Sequence, residues 1–103
     1  MLARQYRIET ISVTNDIDTC TAIDMRNASG MGVLVPSGVT SLAYYACATV
    51  GGAYVLIDNL GSNGVSTVAA SKWFTVPADI FPYPFVKLKA NAAGGSTSIA
   101  VKQ

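Results

Sequence analysis

Histidine is absent from the chain, and charge is scarce: seven Lys or Arg and six Asp or Glu make up 13% of 103 residues. Without histidine, the commonest general base and the commonest transition-metal ligand are both missing. Ser-His-Asp, Cys-His and zinc-hydrolase arrangements are therefore excluded. Two cysteines, Cys20 and Cys47, have neither CxxC spacing nor a histidine to complete a metal site, and they read as free thiols buried as small apolar groups, with one disulfide as the alternative. No apolar run approaches the ~20 residues that span a bilayer, and the opening Met1-Leu2-Ala3-Arg4-Gln5 lacks the apolar core of a secretory signal. The expectation is neither membrane insertion nor export. No polybasic run is present, which argues against nucleic acid as a partner.

Carboxylate pairs remain possible as acid and base or as ligands for a hard cation. Asp16, Asp18 and Asp24 lie close in sequence, but Asn15-Asp16-Ile17-Asp18 continues into no calcium loop and reads as a turn, since Asn and Asp bond readily to their own backbone. The pairs Gly51-Gly52 and Gly94-Gly95 precede no Lys-Ser/Thr and open no helix, so they read as turns rather than phosphate cradles. The expectation is no enzyme, no catalytic residue, no cofactor and no metal.

What is present is apolar and β-forming. Half of the residues are hydrophobic, and a soluble domain ordinarily carries about 25% charge. Much of the exterior must then be Ser, Thr, Asn, Gly, Ala or apolar side chains, a surface suited to permanent contact with a partner. Gly, Pro, Asn and Ser recur every eight to twelve residues, and the runs between them are rich in Val, Ile, Thr, Tyr and Phe. The runs predicted as strands are about 5–13, 19–25, 31–35, 40–49, 53–58, 65–70, 72–76, 84–90 and 97–102. One helical turn is expected at Asp79-Ile80-Phe81. This pattern predicts a single all-β domain over residues 1–103, an antiparallel sandwich of eight or nine short strands, with a jelly roll as one arrangement that satisfies it.

Several strands carry more detail. Val86 and Leu88 alternate with Lys87 and Lys89, as in a strand with one wet face. In 40–49, Leu42, Tyr44, Ala46 and Ala48 line one face and Ala43, Tyr45 and Cys47 the other, as in a central strand or one that meets a partner. The apolar phase of the first strand slips from Tyr6 and Ile8 to Ile11 and Val13, which predicts a bulge or bend near Glu9-Thr10 and a strand passing between sheets. Trp73, Phe74 and Val76 are expected to anchor the core. Tyr44, Tyr45, Pro82, Tyr83 and Pro84 are candidate subunit contacts, as are Lys87 and Lys89 and the arm Met1 to Gln5; Lys72, Lys87, Lys89 and Lys102 against Asp79 alone either solvate outward faces or form a basic rim for an acidic neighbour.

The segment Thr40-Ser41-Leu42-Ala43-Tyr44-Tyr45-Ala46, then Gly51-Gly52-Ala53-Tyr54-Val55, Asp58 with a Gly-rich turn, and Val68-Ala69-Ala70-Ser71-Lys72 into Val76-Pro77 resembles small β-rich virion proteins of tailed bacteriophages. Ile80-Phe81 and Phe85-Val86-Lys87-Leu88 continue the likeness, which covers the last two thirds of the chain. The resemblance implies a capsid cement or decoration protein that binds between capsid subunits. Its partners would be the major capsid protein or other virion proteins, together with its own copies in a homo-oligomer such as a trimer. It would be assembled in the host cytoplasm and would reside on the capsid surface. The competing expectation is a tail or fibre module that contacts a host glycan.

Overall fold

The computed structural model describes residues 6–57 and 65–103. The arm Met1–Gln5 and the turn around Asp58 that carry two of the expectations lie outside them. The fold is all-β. Its strands are β1 (Tyr6–Val13), β2 (Ile23–Asp24), β3 (Gly30–Leu34), β4 (Ser41–Cys47), β5 (Val55–Leu56), β6 (Val65–Thr67), β7 (Trp73–Thr75), β8 (Phe85–Ala90) and β9 (Gly95–Lys102). One sheet has the order β1-β9-β3-β7; the other has β2-β8-β4-β5, with β6 also on β4.

The pairings are nested. β1 pairs with β9, β2 with β8, β3 with β7, and β4 with both β5 and β6, all antiparallel. The chain is thus one long hairpin, rolled until β9 also meets β3 and β8 also meets β4. A long antiparallel hairpin rolled into two sheets is a jelly roll. β5 and β6 act as one interrupted strand, because β5 lies against Tyr45 and Ala46 and β6 against Ser41 to Ala43.

Strict alternation builds the core. Ile11, Val13, Met31, Val33, Ile99 and Val101 point inward from the first sheet, and Ile23, Leu42, Tyr44, Val86 and Leu88 from the second. No polar or charged residue is buried among the described residues. The single turn expected near Asp79 is a 3-10 helix at Ala78–Ile80, which seats Ile80 in the core. The expected strand 19–25 shrinks to two residues because a 3-10 helix at Ile17–Thr19 precedes it; Asp16 caps that helix by accepting a hydrogen bond from Asp18 N at 3.0 Å.

Three expectations need correction. β1 contains no bulge: its register with β9 runs unbroken from Tyr6↔Lys102 to Val13↔Gly95, and it stays within one sheet. The phase slip has another cause. Arg7 and Glu9 occupy inward positions at the sandwich edge, where they pair with each other and Arg7 Nη2 donates to Asp24 O at 2.7 Å, while Ile8 points outward and is 68% exposed. Trp73 is no core anchor either. It sits opposite Leu34 on the outward face and is 58% exposed, whereas Phe74 packs against the core and Val76 is buried. Tyr44 is not a subunit contact, because the alternation of β4 turns it fully inward and leaves Tyr45 on the outer face.

Candidate interaction surfaces

Two charge-poor surfaces remain exposed. The first is the outer face of the sheet β1-β9-β3-β7. Alternation presents Ile8, Thr10 and Ser12 from β1, Ser96, Ser98, Ala100 and Lys102 from β9, Gly30, Gly32 and Leu34 from β3, and Trp73 and Thr75 from β7. Lys102 is the single charge among them. The Trp73 ring lies next to Gly32, where a Cβ would stand 3.7 Å from it, in ordinary van der Waals contact. The indole therefore lies beside the sheet with more than half of its surface in solvent.

The second surface follows the open end of the other sheet. A groove of about 320 Å³ is lined by Ala46, Cys47, Ala48, Val55, Leu56, Ile57, Tyr83 and Pro84. Val55, Leu56 and Tyr83 are exposed there. β5 leaves this groove open because it supplies only two residues to the sheet edge. Tyr83 is positioned by the turn after the 3-10 helix, where its N donates to Ile80 O at 3.3 Å. Cys47 is a free thiol at the groove, and Cys20 is a free thiol buried elsewhere, beside Thr14 and Asp16.

The structure thus brings Tyr83 and Pro84 together at one groove, and leaves Pro82 exposed beside them. Tyr45 lies on the adjoining outer face, opposite Lys87 on β8 and Leu56 on β5. Lys87 is already engaged: its Nζ donates to Ile17 O at 3.1 Å and lies 4.7 Å from the centre of the Tyr54 ring. Lys89 stands opposite Ala43, away from that contact. Both lysines stand on the outer face of β8, two residues apart. Sequence reasoning missed Trp73 and Ile8 as surface groups, although the phase slip in the first strand was a signal for Ile8.

Ionisable groups with displaced titration are few. Hydrogen bonds from the Arg26 side chain and then its backbone lower the Asp24 carboxyl from 3.8 to about 2, and the Arg26 guanidinium also lies over the Phe85 ring at 5.1 Å. Burial raises the Tyr44 phenol, whose hydroxyl has no hydrogen-bond partner among the described residues; nearby Ser66 opposes the shift without closing a bond of normal geometry. Because the folded pKa of Asp24 lies below the unfolded value, its contribution to stability is complete above about pH 4 and is lost as pH falls toward 2. Asp24→Asn should therefore show a small deficit in Tm at pH 6 that closes by pH 2. A deficit constant across that window would show that the carboxylate charge plays no part.

Among the described residues, no group of three or more Cys, Asp or Glu is placed to hold a metal ion, and no helix is long and apolar enough to cross a membrane. Comparison with protein-family models, with curated proteins and with solved structures finds no significant match.

Proposed function

We propose that this chain is a structural protein of a tailed-bacteriophage virion, a capsid cement that binds between shell subunits through its charge-poor sheet face. The observation that carries this reading is that face itself: four strands with one outward lysine, an exposed indole and an exposed Ile8. Depletion of charged residues marks the centre of protein interfaces, and a fully desolvated Trp is among the commonest interface anchors. The jelly roll adds an analogy only. It is shared by viral capsid domains and by lectins, and a fold does not by itself carry a function.

The alternative, a tail module that binds a host glycan, has less support. Among the described residues, the Tyr83 groove offers aromatic and aliphatic walls and no carboxylate or amide side chain, and these are the groups that hydrogen-bond sugar hydroxyls.

Trp73 is the only tryptophan, so its fluorescence reports directly on this face. Mixing the protein with empty shells of the phage that encodes it should shift its emission to the blue and carry it into the shell pellet. Trp73→Ala should weaken that binding by roughly 30-fold or more, the effect of losing an interface anchor of about 2 kcal/mol. If the protein stays in the supernatant with unchanged emission, the cement reading fails.

A further inference from the structure

The edge of β1 points to an occupant that no feature above accounts for. Among the described residues, β1 pairs with β9 on one side and with no strand on the other. Ser12 shows which of its residues face the other side: its N donates to Thr21 Oγ1 at 2.8 Å, and its carbonyl accepts from Thr21 N at 3.1 Å. In an antiparallel strand the N–H and C=O of one residue point the same way and alternate along the chain. Ile8 and Thr10 therefore direct their main-chain groups off β9 as well, and no described residue pairs with them. Thr21 closes this edge at Ser12, so the open stretch runs from Tyr6 to Thr10.

We infer that this stretch pairs with the same stretch of a second copy, antiparallel and about a two-fold axis at Ile8. Charge selects both the occupant and the register. Inward-pointing charges normally guard an edge against pairing, but Arg7 and Glu9 have opposite signs and flank Ile8 symmetrically. With Ile8 opposite Ile8, Arg7 of each copy faces Glu9 of the other, which gives two reciprocal ion pairs. A register centred on Glu9 would instead set two carboxylates face to face, which is unfavourable. In the chosen register the main-chain groups of Ile8 meet their equivalents and those of Tyr6 meet Thr10, making up to about six hydrogen bonds. The two Ile8 side chains, otherwise exposed, cover each other on the outer face beside Ala100.

The product is one continuous eight-stranded sheet, β7-β3-β9-β1 joined to its two-fold mate, with the charge-poor face doubled in length. The contact is isologous, as closed dimers require. It is also short, below the roughly 1,200 Å² of a standard interface, so the dimer fills at tens of micromolar and above. The inference rests on the reading of this chain as one that packs against other subunits, but its test needs no shell.

Sedimentation equilibrium from about 5 to 300 µM should show a monomer-dimer equilibrium. Arg7→Glu and Glu9→Arg should each weaken it at least about tenfold, since each sets like charges opposite one another. An equimolar mixture of the two variants should restore the dimer. One chain then carries carboxylates at both positions flanking Ile8 and the other carries guanidinium groups at both, so every contact joins opposite charges. Amide exchange should slow at Ile8 and Thr10 as concentration rises in the wild type. Circular dichroism establishes that each variant is folded. A wild type that stays monomeric across that range overturns the proposal, as does a dimer that survives both single substitutions or a mixture that fails to recover it. A monomer that still pellets with shells removes the dimer and leaves the cement reading; a dimer that ignores shells does the reverse.

Discussion

Leu88→Ala is expected to lower Tm by about 10–30 °C, while Trp73→Ala changes it by only a few degrees. Leu88 is 1% exposed on β8, the strand between β2 and β4, and packs in the one cluster shared by both sheets. Removing a buried Leu to Ala costs about 2–5 kcal/mol through lost transfer energy and the cavity left behind. In a domain near 100 residues each kcal/mol moves Tm by roughly 4–8 °C. Trp73 is larger but 58% exposed, so its loss opens no interior cavity. Thermal melts of the two variants decide the matter. A Trp73→Ala melt as damaged as that of Leu88→Ala would place the indole in the core and remove it from the interaction face. This comparison is independent of shells, so it separates folding from binding before any assembly experiment is read.

Gly94→Ala should be the most damaging Gly→Ala change among the described residues. Gly94 has φ +56 and lies in the turn between β8 and β9, against the end of β1. A Cβ at this position would lie 1.9 Å from the carbonyl oxygen of Val13. That neighbour is backbone, and it cannot swing away as a flexible side chain would. Thr14, the next residue, accepts through its carbonyl from Ala90 N at 2.7 Å, so β1 is tied to the same turn from both sides. Relief requires separating β1 from the start of β9, where Val13 pairs with Gly95. Gly38 supplies the control. It has φ +82 with nothing within 4 Å of its Cβ position, so Gly38→Ala should cost about 1–2 kcal/mol for its left-handed backbone alone. Urea unfolding of both variants should find Gly94→Ala less stable than Gly38→Ala by at least about 2 kcal/mol, in the range of overpacking and strain. Equal losses would mean that the turn yields and that backbone conformation, not the approach of Val13, sets the cost.

The strand pattern was legible because alternation is local. In β8, Val86 and Leu88 against Lys87 and Lys89 announce one dry and one wet face, and the structure buries the first pair. β4, apolar on both sides, proves central, with β8 on one edge and β5 and β6 on the other. Tyr44 and Tyr45 look identical in such a run, yet a single step of the pleat sends one into the core and the other outside. The same ambiguity misplaced Trp73: a three-residue strand is too short to set its own phase, which is decided by Phe74 facing inward opposite Val33.

Composition and period-two patterning were enough to settle the class of the fold, the single turn near Asp79 and a surface short of charge, because each acts over a few residues at a time. Long-range packing settled the rolled hairpin that brings β1 to β9, the flat face on which Ile8 and Trp73 stand, and the grouping of Tyr83 and Pro84 with Val55 and Leu56. Those features join residues tens of positions apart. Their order depends on which sheet edge each strand can reach and on the choice of inward face that buries the most apolar surface, and neither is contained in a local window.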